Sequence, residues 1–177
     1  MFDGGAVCVT LQGEALEVFQ DYNLGWRAVG PTFMITKSEG ARVYEIDHRP
    51  IKDVYAEVLG DFAVDNMPAS TIEFPLICQE KDMPVARSML SVFDDGSLLY
   101  GGNLAEGEEV RFGIGSRTLV NQYTLKEGIT DTDSLQACFI YSCIARKQFL
   151  DKELEKIFRL LEILHQPAVF LPLESFS

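Results

Sequence analysis

Positive charge is scarce in this sequence. Fifteen Lys and Arg stand against 27 Asp and Glu, giving a formal net charge of -12 and a pI near 4.5. The basic residues are scattered, and the pair Arg146-Lys147 is the longest group the notably acidic chain offers. Binding to a phosphate backbone or an anionic membrane needs clustered cations, so nucleic acid and membrane surfaces are excluded as expected partners. Histidine is rarer still, with only His48 and His165, and no Cys-x-x-Cys pair occurs among Cys8, Cys78, Cys138 and Cys143. A zinc site and a disulfide framework are therefore both unsupported, and the thiols read as reduced and cytoplasmic. No apolar run approaches the roughly 20 residues of a membrane helix. The start, Met1-Phe2-Asp3-Gly4-Gly5, lacks the basic and apolar regions of a secretory signal.

Apolar residues are abundant. They make up 47% of 177 residues, with twelve Phe and six Tyr, enough to build one domain core. Residues 6–11 and 15–19 alternate like a hairpin about Gln12-Gly13. So abrupt an opening predicts that earlier sequence precedes it. Residues 20–32, with Gly25 and Gly30-Pro31, read as a loop. Strands are expected over 33–37 and 42–46, joined by a turn at Ser38-Glu39-Gly40. Apolar positions 51, 54, 55, 58 and 59 fit one face of a helix that Gly60 would end.

Residues 61–72 read as loop, and a strand begins near 74. A hairpin is expected over 88–100 about Asp94-Asp95-Gly96, and a further strand over 109–114. A short helix follows from Ser116. The last third reads as a β-α-β unit: a strand at 135–142, a helix at 147–164 with an apolar stripe, and a strand at 168–171. The expected class is α/β in the mixed α+β sense, a layered mixed sheet with packed helices.

Several of these stretches, in order and spacing, resemble the FIST domain. They are Arg42-Val43-Tyr44-Glu45-Ile46-Asp47 followed by Arg49-Pro50-Ile51-Lys52-Asp53-Val54-Tyr55, then Phe74-Pro75-Leu76, then Asp94-Asp95-Gly96-Ser97-Leu98. Ala105-Glu106-Gly107-Glu108-Glu109-Val110-Arg111 and Phe139-Ile140-Tyr141-Ser142-Cys143-Ile144-Ala145-Arg146 complete the set. By this resemblance, residues 1–38 are the closing strands of a truncated N-terminal half, and 39–177 the C-terminal domain. Two positions depart from the family pattern. His48 stands where glycine is usual, and the tail from Leu171 lacks the usual aromatic, glycine and glutamate residues.

The resemblance implies an intracellular bacterial sensory domain that binds a small ligand, such as an amino acid, and regulates a signalling output. That output would be a diguanylate cyclase, a histidine kinase or a chemotaxis receptor. No cofactor is implied, and no catalysis in this chain.

From the residues themselves, Ser142, Cys143 and Arg146 are candidate ligand contacts. They lie at the carboxyl end of a strand before a helix, where backbone N–H groups and a guanidinium hold a carboxylate. Cys143 as a buried hydrophobe and Arg146 as a surface cap is the plainer alternative. Arg87, whose place in the family is often arginine, is a fourth candidate for an anion; the alternative is a solvated arginine at a strand edge. Asp94-Asp95 reads as turn chemistry, not a metal site. Besides the sensor, two other functions stay open: a protein-interaction module without a ligand, and a cysteine enzyme built on Cys143, which would need a base beside it.

Overall fold

The computed structural model describes residues 8–20, 22, 24–115, 137–143, 145 and 168–173. Strand β1 (Trp26–Glu39) is the longest element among the described residues. It pairs antiparallel with β8 (Glu109–Gly115) along its first part, and with β2 (Arg42–Ile46) along its last. The loop expected over 20–32 thus becomes strand from Trp26 onward. Glycine and proline do leave their mark, because Gly30, Pro31 and Thr32 stand opposite the single residue Arg111 as a bulge. Proline costs no ladder bond there. Gly30 takes φ +72°, and Arg111 donates to its freed carbonyl from Nη2 at 2.8 Å and Nε at 3.2 Å.

The remaining strands are β3 (Arg49–Pro50), β4 (Leu76–Glu80), β5 (Met83–Arg87), β6 (Met89–Val92) and β7 (Leu98–Tyr100). The order across the sheet is β5-β4-β8-β1-β2-β7-β6, with β3 on β2, and every pairing in it is antiparallel. The two ends of that path, β5 and β6, are separated in sequence by Ser88 alone. In a flat sheet, six steps of about 4.8 Å would hold them about 29 Å apart. Two residue steps span about 7 Å at most. The sheet therefore curls until its ends meet, and the result is close to a barrel.

Curling gives the inner faces one core. Leu76 and Cys78 of β4, Val110 and Phe112 of β8, Ile35 of β1, Val43 and Ile46 of β2, and Leu98 and Tyr100 of β7 belong to the same buried cluster. Helix α1 (Ile51–Leu59) adds Ile51, Val54 and Tyr55 to it. Each of these side chains contributes about 1.5–3 kcal/mol by leaving water. The expected helix stands, ended by Gly60 at φ +84° with its N–H on the Ala56 carbonyl, although Val58 is exposed. Tyr55 meets the Phe112 ring edge-on at 4.8 Å, and its hydroxyl bonds the Tyr100 hydroxyl at 3.0 Å. Burial pushes both phenols well above their usual pKa.

Further expectations need correction. Residues 8–20 carry no strand, only a turn with the Leu16 N–H on the Gly13 carbonyl, and Val9, Leu11, Leu16, Val18 and Phe19 are exposed. Their alternation suits a strand, but no edge among the described residues pairs with their backbone. The loop expected over 61–72 holds a short helix, α2 (Asp61–Asp65), and a single 3-10 turn at Ala69–Thr71. Both are held by local bonds, from Asn66 to the Phe62 carbonyl and from Ser70 to the Ala63 carbonyl.

The class itself is mixed but sheet-dominated. Every pairing in the large sheet is antiparallel, with hairpins joining β1 to β2, β2 to β3, β4 to β5 and β6 to β7, so it does not read as a layered α/β arrangement. A parallel pair does occur, between β9 (Cys138–Cys143) and β10 (Ala168–Leu173), as a β-α-β unit requires. The helices expected from Ser116 and over 147–164 lie outside the described residues.

Two turns carry testable chemistry. Asp47 and His48 both have positive φ, +50° and +58°, in the two-residue loop between β2 and β3. Such a loop suits glycine, which explains the usual family residue at 48. The His48 N–H bonds Thr36 Oγ1 at 2.9 Å, a backbone contact that glycine would keep. His48→Gly should therefore stabilise the fold by about 0.5 kcal/mol, the relief of the left-handed backbone less the added freedom of the unfolded chain. Chemical denaturation midpoints would register it.

In the β6–β7 hairpin, Asp95 accepts from the Ser97 hydroxyl and N–H, then from Arg42, whose guanidinium also lies 3.8 Å from the Phe93 ring centroid. These bonds hold the Asp95 carboxyl at about 2, below its ordinary 3.8. The stability it lends is complete above the ordinary value and drains away as pH falls from about 4 toward 2. Asp95→Asn should flatten that stretch of the stability-pH curve relative to the native chain.

Candidate functional site

Arg87 becomes a site through strand pairing. Leu76 pairs with Arg87, Cys78 with Val85 and Glu80 with Met83. Because side chains alternate along a strand, Leu76, Cys78 and Glu80 share one face of β4, and Val85 and Arg87 share that face of β5. Leu76 and Cys78 are buried in the core and Val85 packs against it. Arg87 therefore projects on the inner face of the curled sheet and is not a solvated edge residue. Its side chain is 17% exposed.

The guanidinium has an ion-pair partner and a neighbour that gives it room. Nη2 donates to Glu80 Oε1, and the Glu80 side chain is 50% exposed. Across the seam, in the loop after β7, lies Gly102. A Cβ there would stand 2.5 Å from Nη1 and 2.6 Å from Cζ, so only a residue without one leaves the guanidinium this place. Nε is buried and has no hydrogen-bond partner among the described residues. An unsatisfied buried donor costs about 1–3 kcal/mol.

Two more groups complete the cluster. Glu108 accepts from the Ala105 N–H at 2.9 Å. The Cys78 thiol is pushed up to about 11, by burial first and then by the charge and hydrogen bonding of Glu108, with Glu80 adding to the shift and Arg87 opposing it. Cys78, Glu80, Arg87 and Glu108 thus share one electrostatic neighbourhood. A guanidinium with a free donor is suited to a carboxylate. A thiol held near 11 is not a nucleophile at neutral pH. Among the described residues no group of three metal-ligating side chains forms.

The other candidates lie elsewhere. Ser142 and Cys143 end β9, opposite Pro172 and Leu173 of β10. Cys143 is exposed, not a buried hydrophobe, and among the described residues no histidine or carboxylate bonds to it. Arg146 lies outside the described residues. No hydrogen bond or ion pair among the described residues joins Arg87 to the end of β9.

Glu80, Gly102, Glu108 and Cys78 escaped the sequence reading because β5 itself did. Pro84 argues against a strand, but β5 is an edge, where proline is tolerated. The available signal was the spacing of Glu80 and Arg87 about a two-residue turn at Lys81-Asp82, both at positive φ. That buried thiol has a simple check. A maleimide at neutral pH should modify the exposed Cys8 and Cys143 quickly, and Cys78 only on unfolding, as peptide mass mapping would read.

With this geometry in place, comparison with known proteins is informative. The FIST C domain matches residues 52–170 and the FIST N domain matches residues 1–49. The boundary falls at the start of α1, yet strands on either side of it share one sheet. No curated protein and no solved structure matches the chain. FIST domains are in general sensory domains of signal transduction. Among the described residues no helix is long and apolar enough to cross a membrane. Between them the two matches take in nearly the whole sequence, and the chain belongs to the FIST family.

Proposed function

We propose that this chain is an intracellular sensory domain that takes a small carboxylate, amino acids included, at Arg87 and passes its occupancy to a signalling output. The observation that carries this reading is the inward-facing guanidinium with its unpartnered Nε. The output is a fused or partner diguanylate cyclase, histidine kinase or chemotaxis receptor of the bacterial cytoplasm. Ser142, Cys143 and Arg146 stand as a second candidate set of ligand contacts, separate from Arg87. Any catalysis belongs to the output. For such a domain to signal, the ligand must bind one of two conformations more tightly, since equal binding shifts nothing.

A second reading has its own support. Phe139 and Tyr141 are exposed along one face of β9, and so are the apolar residues of 8–20. Exposed apolar surface of this kind suits a protein-interaction module that needs no ligand.

A thermal-shift scan against amino acids and small carboxylates separates the two. The sensor reading expects one compound, at a hundredfold excess over its Kd, to raise the Tm by about 5–10 °C. Arg87→Gln should abolish that rise. A cooperative transition that no compound moves would reject the sensor and favour the interaction module.

A further inference from the structure

Resting on that reading of Arg87, we infer that Glu80 is a displaceable counter-ion, a resident carboxylate that holds the ligand's place on the guanidinium and leaves when a ligand enters. The two partners are unequally buried. Arg87 is 17% exposed and framed by Gly102, so the cation stays where it is. Glu80 is 50% exposed and can swing into water at little cost. An ion pair with one exposed partner is worth only about 0–1 kcal/mol.

The contact is also poor in geometry. Glu80 engages the guanidinium through Nη2 alone, and Nε finds nothing. A free carboxylate can meet the planar fork with both oxygens, which a side chain tethered across the hairpin does not do. Chemical class follows from the surroundings. Glu80 and Glu108 both act on the neighbouring Cys78, and their charges would repel a second negative charge on the ligand. The site therefore favours a monoanionic carboxylate over sulfate or phosphate.

Displacement has a structural consequence. Glu80 is the last residue of β4, beside the turn at Lys81-Asp82, and β5 is the end strand of the sheet. Releasing Glu80 removes a side-chain tie between the tip of this hairpin and the far end of β5, so occupancy is written into the β4–β5 strand pair.

The test is titration of acetate, with sulfate and chloride at matched ionic strength, into the native chain, Glu80→Gln, Glu80→Ala and Arg87→Lys. The Arg87 Nε–Hε resonance and calorimetry report binding, and a cooperative melt confirms each fold. Acetate should bind both Glu80 variants about fivefold more tightly than the native chain. Arg87→Lys should abolish saturable binding, and sulfate should bind less well than acetate. If Arg87→Lys abolishes acetate binding but neither Glu80 variant tightens it, the counter-ion role is overturned while the Arg87 site stands. Tighter sulfate than acetate overturns the monoanion class. No saturable acetate binding by any of the folded proteins overturns both the counter-ion role and the Arg87 site.

Discussion

Ser88 is the only residue between the strands at the two ends of the large sheet, and much of the architecture follows from that short connection. Strands that a flat sheet would hold far apart must meet at one corner, so the sheet has to curl. Curvature needs strands that can bend, and β1 supplies it. Three of its residues stand opposite one of β8, and Arg111 closes the exposed carbonyl of Gly30. Once curled, the sheet no longer has one face for a core and another for water along its whole width. Side chains from β2 and β7 meet those from β4 and β8 around α1 in a single cluster.

The centre of that cluster is aromatic. Phe112 makes edge-to-face contacts with both Phe33 and Tyr55, and Tyr55 carries a hydroxyl into the core, where it bonds the Tyr100 hydroxyl. A buried hydroxyl without a partner would be costly, so this bond fixes how α1 sits against β7. The polar cluster around Arg87 is the contrasting case. It lies at the rim of the same core and leaves one donor unsatisfied. Tyr55 and Tyr100 satisfy one another inside the core, whereas Arg87 Nε at the seam has no hydrogen-bond partner among the described residues.

Signal transduction needs a change at the site to be felt elsewhere. The family boundary at residues 49–52 separates β1, β2 and β3 from the strands that follow, yet all of them lie in one sheet. A rearrangement of the β4–β5 hairpin therefore acts on β8, which is paired with β1, the longest strand of the N-terminal match. The proposed site in the C-terminal part is joined to the N-terminal part through two adjacent ladders.

What the sequence determined by itself is local. The spacing of Ile51, Val54 and Tyr55 with Gly60 specifies a helix and its end, and Asp94-Asp95-Gly96 specifies a hairpin, because the physics of each operates within a few residues. The parallel pairing of β9 and β10 agrees with the β-α-β pattern. Other features depended on neighbours far away along the chain. Pro84 concealed β5, since only its edge position makes proline acceptable. Gly30-Pro31 read as a break because nothing local shows that Arg111 stands opposite. Residues 8–20 have the alternation of a strand but join no edge among the described residues. The surroundings of Arg87 were likewise a tertiary decision. Glu80 reaches it across a hairpin, Gly102 faces it across the seam and Glu108 comes close in a loop, so the curl of the sheet, which no local propensity encodes, turns a strand-edge arginine into a half-buried cation.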